Sequence, residues 1–90
     1  MPVTFHRSPS RHTTAHGTTK DISLNGMRLE SRVSLSIGER VKIECTFCSA
    51  IAIVRSGCPD DRRRGSWEYG LEFLTLRIKH ERGGLFSTVA

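Results

Sequence analysis

Ninety residues make at most one domain, and 37% hydrophobic with 26% charged residues suit a soluble globular chain with a modest core rather than a disordered one. The net charge of +5 and a basic set dominated by arginine (eleven of fourteen) favour an anionic partner, because the planar guanidinium fork fits phosphates and guanine edges. The longest mainly apolar run, Ala50 to Val54, is far short of the ~20 residues that cross a bilayer. No apolar signal-peptide core follows the first charges, so a cytoplasmic protein without a membrane partner is expected. Three cysteines, an odd number, argue against a disulfide framework.

Residues 1–17 carry Arg7, Arg11 and three histidines but no acid, and Val3 and Phe5 are their only large apolar residues after Met1. Such a segment buries little, and it is expected to be a flexible basic arm. The barrel domain is expected over 18–82. Ile22 and Leu24 precede Asn25-Gly26, a hairpin signal because both residues tolerate positive φ. Met27 and Leu29 then alternate with Arg28 and Glu30 as a half-buried strand. Gly38-Glu39 marks a turn, after which Val41, Ile43 and Cys45 alternate with Lys42 and Glu44. Ala50 to Val54 is apolar on both faces and predicts a central strand. Gly57 to Ser66 is expected to be a loop. Trp67, Tyr69, Leu71 and Phe73 share one face of a final strand. Leu76 to Arg82 suggests one or two helical turns ended by Gly83-Gly84, with 83–90 as a tail. The fold class is thus mainly β, a small antiparallel β-barrel with at most a short C-terminal helix.

Four constellations could carry chemistry. In Asp21-x-Ser23-x-x-Gly26, a carboxylate and a hydroxyl two residues apart project from one face of an extended segment. The carboxylate could accept paired N–H bonds from a purine and the hydroxyl could donate to a phosphate, while Gly26 lets a ligand approach. Spacing alone favours a plainer reading, in which Asp21 and Ser23 bond their own backbone. Arg7 and Arg11, four apart around Pro9, could clamp phosphates. Arg28 and Arg32 repeat that spacing in a strand, where it looks meaningless. Cys45-Thr46-Phe47-Cys48, with Cys58 and the histidines His6, His12 and His16, could begin a zinc site. No second CxxC stands at ribbon spacing, and no helix N-terminus is at hand to activate a thiol, so buried hydrophobes are the simpler reading and no metal is expected. Arg62-Arg63-Arg64 beside Trp67 and Tyr69 could stack and hold single-stranded nucleic acid, but a solvated loop is the favoured reading. No GxSxG elbow, phosphate-binding P-loop or HExxH occurs, so an enzyme is not expected.

The order Arg7 to Arg11, Asp21 to Gly26, Gly38-Glu39-Arg40-Val41-Lys42-Ile43, Ile51-Ala52-Ile53-Val54-Arg55 and Tyr69-Gly70-Leu71-Glu72-Phe73 resembles the PilZ domain. The resemblance covers about 7–74. It implies a small β-barrel that binds the bacterial second messenger cyclic di-GMP, with no other cofactor. It further implies that Arg7 and Arg11 grip guanine edges and phosphates, that Asp21 and Ser23 contact a guanine and a phosphate, and that Gly26 keeps the turn open. A downstream protein partner is expected, nucleic acid is not, and an exposed edge strand would invite a homodimer. The alternatives are a PilZ-like domain that works through protein contacts without the nucleotide, and a basic barrel that binds nucleic acid. One departure stands out. PilZ domains usually place a strand and its turn between the arginine pair and the DxSxxG turn, and here only nine residues, His12 to Lys20, lie between them. The first strand is expected to be either missing or very short.

Overall fold

The computed structural model describes residues 1–7, 14–79 and 85–88. Among them every regular element is a strand: β1 (Pro2–Arg7), β2 (Thr14–Ile22), β3 (Gly26–Ser31), β4 (Arg40–Glu44), β5 (Cys48–Pro59), β6 (Trp67–Lys79) and β7 (Leu85–Thr88). The sheet runs β3-β2-β1-β4-β5-β6-β7, and β3 also pairs with β6. All pairings are antiparallel. β1 to β6 therefore close a six-stranded barrel. β7 continues along the same edge of β6 beyond the point where β3 leaves it.

The first strand is present. It lies upstream of Arg11, not between Arg11 and Asp21, which explains the short spacing. Val3 and Phe5, the two apolar residues of the expected arm, are both buried in the core. Phe5 pairs with Ala15 on one side and Ile43 on the other, so the polar stretch 14–22 is an inner strand held by its neighbours' ladders. The expected arm over 1–17 is thus replaced by β1 and the start of β2, with 8–13 outside the described residues. The helical turns expected from Leu76 are replaced by strand as far as Lys79, while 80–82 lie outside the described residues. Leu76 is buried in the core, and that pairing with β5 outweighs its local helical preference. Gly57-Cys58-Pro59, expected in a loop, extends β5 to its pairing with Trp67.

Alternation decides what faces in. Met27 and Leu29, Val41 and Ile43, and Tyr69, Leu71 and Phe73 are buried, as the period-two pattern predicts. Ala50 to Val54 departs from expectation: Ala50, Ala52 and Val54 point inward, whereas Ile51 is exposed. A barrel has one buried face, so a run that is apolar on both sides must leave one side in solvent.

Two devices tie the β3–β4 connection to the barrel. The Tyr69 hydroxyl accepts from Leu35 N–H at 2.9 Å and donates to the Val33 carbonyl at 2.7 Å, so its oxygen is satisfied in both roles inside the core. Gly38, at φ 88°, turns the chain into β4, and its N–H donates to Val54 O at 2.7 Å. Tyr69→Phe leaves the Leu35 N–H and Val33 carbonyl unpaired in a buried setting. The expected cost is about 1–3 kcal/mol, read as a lowered urea midpoint at unchanged slope.

Candidate functional site

The Asp21–Gly26 turn joins β2 to β3. Asp21 pairs with Arg28 and Ile22 with Met27, and Ser23 N–H closes the turn on Gly26 O at 2.8 Å. Ile22 packs against the core, while Asp21 and Ser23 are exposed on the outer face, so the two polar side chains do share a face. Ser23 Oγ accepts from Asn25 N–H at 3.2 Å, the local bond that the plainer reading foresees. Among the described residues no hydrogen bond involves the Asp21 carboxylate.

Gly26 is required for a different reason than the sequence suggested. Its φ is not positive; the only described residues with positive φ are Gly38 and Gly65. Gly26 pairs with Glu72, and a Cβ added to it would collide with the Leu71 carbonyl oxygen. Glycine is needed here because β3 approaches β6 backbone to backbone. The adjoining Phe73 N–H donates to Asn25 O at 2.8 Å and fixes the turn to β6.

Two cations sit beside this turn. Arg28 is the cross-strand neighbour of Asp21. Arg55 shares a shallow hollow of about 440 Å³ with Asn25, Gly26, Gly70 and Glu72. A second hollow of about 270 Å³ runs on from it past Arg28, Ser56, Cys58 and Glu68, with Gly70 as common floor. Each arginine has an acidic partner: Arg28 Nη1 lies 3.2 Å from half-buried Glu68, and Arg55 Nε lies 2.6 Å from exposed Glu72. Surface pairs of this kind are worth little and can exchange for a ligand anion. Lys20 also reaches Glu68 (3.4 Å) and Glu30 (2.9 Å), and its pKa is raised, chiefly by the hydrogen bond to Glu30. Neither Arg28 nor Arg55 was legible as a site residue. The bulge between Thr19 and Asp21 brings Arg28 opposite Asp21, and barrel closure brings Arg55 beside Gly26.

Arg7 is not brought to the turn. Met1 and Thr19 exchange backbone bonds at one end of β1, whereas Arg7 lies six residues further on, roughly 20 Å along the strand at ~3.3 Å per residue. There its guanidinium grips Glu39 in a forked pair, Nε to Oε2 at 2.5 Å and Nη2 to Oε1 at 3.1 Å. Glu39 Oε1 also accepts from Ser36 N–H at 3.0 Å, so the pair braces the β3–β4 connection. Arg11 lies outside the described residues. The Arg62-Arg63-Arg64 loop is partly engaged, with Arg63 3.5 Å from Glu30. No group of three or more side chains suited to hold a metal occurs among the described residues. Among the described residues no helix is long and apolar enough to cross a membrane.

A family model described as the PilZ domain matches residues 1–83. No curated protein and no solved structure matches the chain.

Two outcomes follow from this geometry. Gly26→Ala forces β3 off β6, and a far-lowered thermal midpoint is expected, with loss of the barrel's cooperative unfolding as the extreme. The hydrogen bond from Arg7 holds the Glu39 carboxyl below its ordinary range. A depressed folded pKa stabilises above the unfolded value, about 4.3, and that stability disappears as the pH falls through the folded value. Glu39→Gln is expected to lose stability at pH 6 and to flatten the acid limb below about pH 4.3, measured as thermal midpoint against pH.

Proposed function

The chain belongs to the PilZ family, a family of binding and adaptor domains rather than of catalysts, and on that premise we propose that it is a cyclic di-GMP receptor whose contact surface is the outer face of the Asp21–Gly26 turn. The observation that carries the proposal is an exposed carboxylate and an exposed hydroxyl on the Asp21–Gly26 turn, with exposed Arg28 across the ladder from Asp21 and exposed Arg55 in the hollow beside Gly26. Asp21 accepts from a guanine edge, Ser23 donates to a phosphate, and Gly26, closed against the Leu71 carbonyl, fixes the turn that carries them. Arg28 and Arg55 supply the positive charge, exchanging Glu68 and Glu72 for ligand phosphate. Arg7 is a structural brace on Glu39 and takes no part. Ligand bound at this face changes the charge and shape presented to a protein partner, which is how an adaptor of this size would report the messenger.

Isothermal titration with cyclic di-GMP tests the assignment. Saturable binding at tens of micromolar or tighter is expected. Asp21→Ala and Arg28→Ala should each weaken it by roughly ten-fold or more, as expected for loss of a charge-assisted bond. Arg7→Ala should lower stability and leave affinity within about two-fold. No saturable heat up to millimolar ligand would exclude the nucleotide reading. A second reading would then stand: an adaptor that works through protein contacts alone. It is favoured by the engagement of Arg7, Arg28 and Arg55 with acidic partners in the protein as it is. It predicts partner capture that is indifferent to the nucleotide.

A further inference from the structure

The β4–β5 turn holds two thiols in contact. Cys45 and Cys48 flank Thr46-Phe47, and Cys45 N–H donates to Cys48 O at 3.0 Å, so the two residues stand directly opposite each other. Their sulfurs are 3.1 Å apart, about 1 Å more than a disulfide bond of about 2.05 Å. Opposed residues of an antiparallel pair have Cα atoms about 4.5–5.5 Å apart, within the range a disulfide spans. The sulfurs differ in surroundings. Cys48 is fully buried, and burial together with the hydrogen bond to Cys45 pushes its thiol up to about 12. Cys45 is also buried, at 8% exposure against 0% for Cys48, but it borders an open hollow of about 400 Å³ with Thr4, His16, Glu44 and Thr46, the side from which a small reagent approaches the pair. The turn also anchors the far end of β6, because Lys79 N–H donates to Phe47 O at 2.7 Å and Lys79 Nζ to Cys45 O at 3.1 Å.

We propose that Cys45 and Cys48 form a two-thiol modification site that small-molecule disulfides convert to an intramolecular disulfide, with Cys45 attacked first and Cys48 resolving. The Cys45 thiolate attacks one sulfur of the reagent, forming a mixed disulfide and releasing one reagent thiolate. Cys48 Sγ then attacks Cys45 Sγ, its proton leaving with the second reagent thiol. The protein loses two electrons and two protons, and the reagent is reduced to two thiols. The missing helix N-terminus is no obstacle, since contact between the sulfurs makes the second step intramolecular and fast relative to escape of the adduct. Closure welds the turn on which Lys79 is held, so the oxidation state of the pair bears on the end of β6. This site is independent of the nucleotide face.

The test is peptide mapping of the reduced, folded full chain after exposure to oxidised glutathione. Trypsin cuts after Lys42 and Arg55, leaving both cysteines in the peptide 43–55 and Cys58 in another. Exposed Cys58 reports that the reagent has reacted. The expected result is that 43–55 becomes lighter by two hydrogens and carries no adduct, while Cys58 gains a glutathione. In Cys48→Ser the same peptide should instead keep one glutathione on Cys45. Two free thiols in 43–55 after Cys58 is fully modified, a lasting adduct there in the native chain, or a disulfide to Cys58 would each overturn the proposal.

Discussion

The barrel depends on one close approach. β3 and β6 meet where Gly26 lies against the Leu71 carbonyl, with no space for even a methyl group between them. That contact turns an open sheet into a closed one, and closure gives the small chain a core. Phe5, Leu29, Ile43, Tyr69 and Phe73 come from four different strands and are fully or almost fully buried. A ninety-residue chain has little apolar area to spare, so removing sheet edges serves it better than adding a second layer. The same approach fixes the outer surface. Two shallow hollows lie on the face over β3, β5 and β6, with Arg28 lining one and Arg55 the other.

Charge on this protein is mostly arranged rather than accumulated. The net charge of +5 suggests a basic surface open to any polyanion, yet many of the described cations stand beside acids. Arg7 is committed to Glu39 by a forked geometry that also orders the β3–β4 connection. Lys20, Arg28 and Arg63 gather around Glu30 and Glu68 on the outside of β2, β3 and β6. Paired surface charges contribute modestly to stability but sharply limit nonspecific attraction, because each cation has a competing local anion.

The strands whose residues alternate cleanly were legible from their order alone. β3, β4 and the first half of β6 follow the period-two pattern, and their inward sets are the ones the pattern names. β1 and β2 were not legible. β1 shows only Val3 and Phe5 within a basic, polar segment, and β2 is polar almost throughout; both are held between two neighbours, and ladder bonds do not require apolar side chains to form. The extension of β6 past Phe73 was hidden for a different reason: Leu76-Arg77-Ile78-Lys79 alternates, but four residues ahead of Gly83-Gly84 also fit a capped helical turn, and pairing with β5 and β7 decides for strand. At the candidate site, Asp21, Ser23 and Gly26 were identified by spacing. Arg28 passed as an accident of composition, and Arg55 stood out only as the end of a strand motif.

By itself the sequence determined the fold class, the family and the turn, because these rest on local periodicity and on residue types at short fixed spacing. Which residues surround the turn was decided by tertiary structure. Strand register placed Arg28 opposite Asp21, closure placed Arg55 beside Gly26, and the antiparallel course of β1 carried Arg7 to the other end of the strand. Register and closure depend on contacts among residues far apart in the chain, and no local pattern encodes the distance between them.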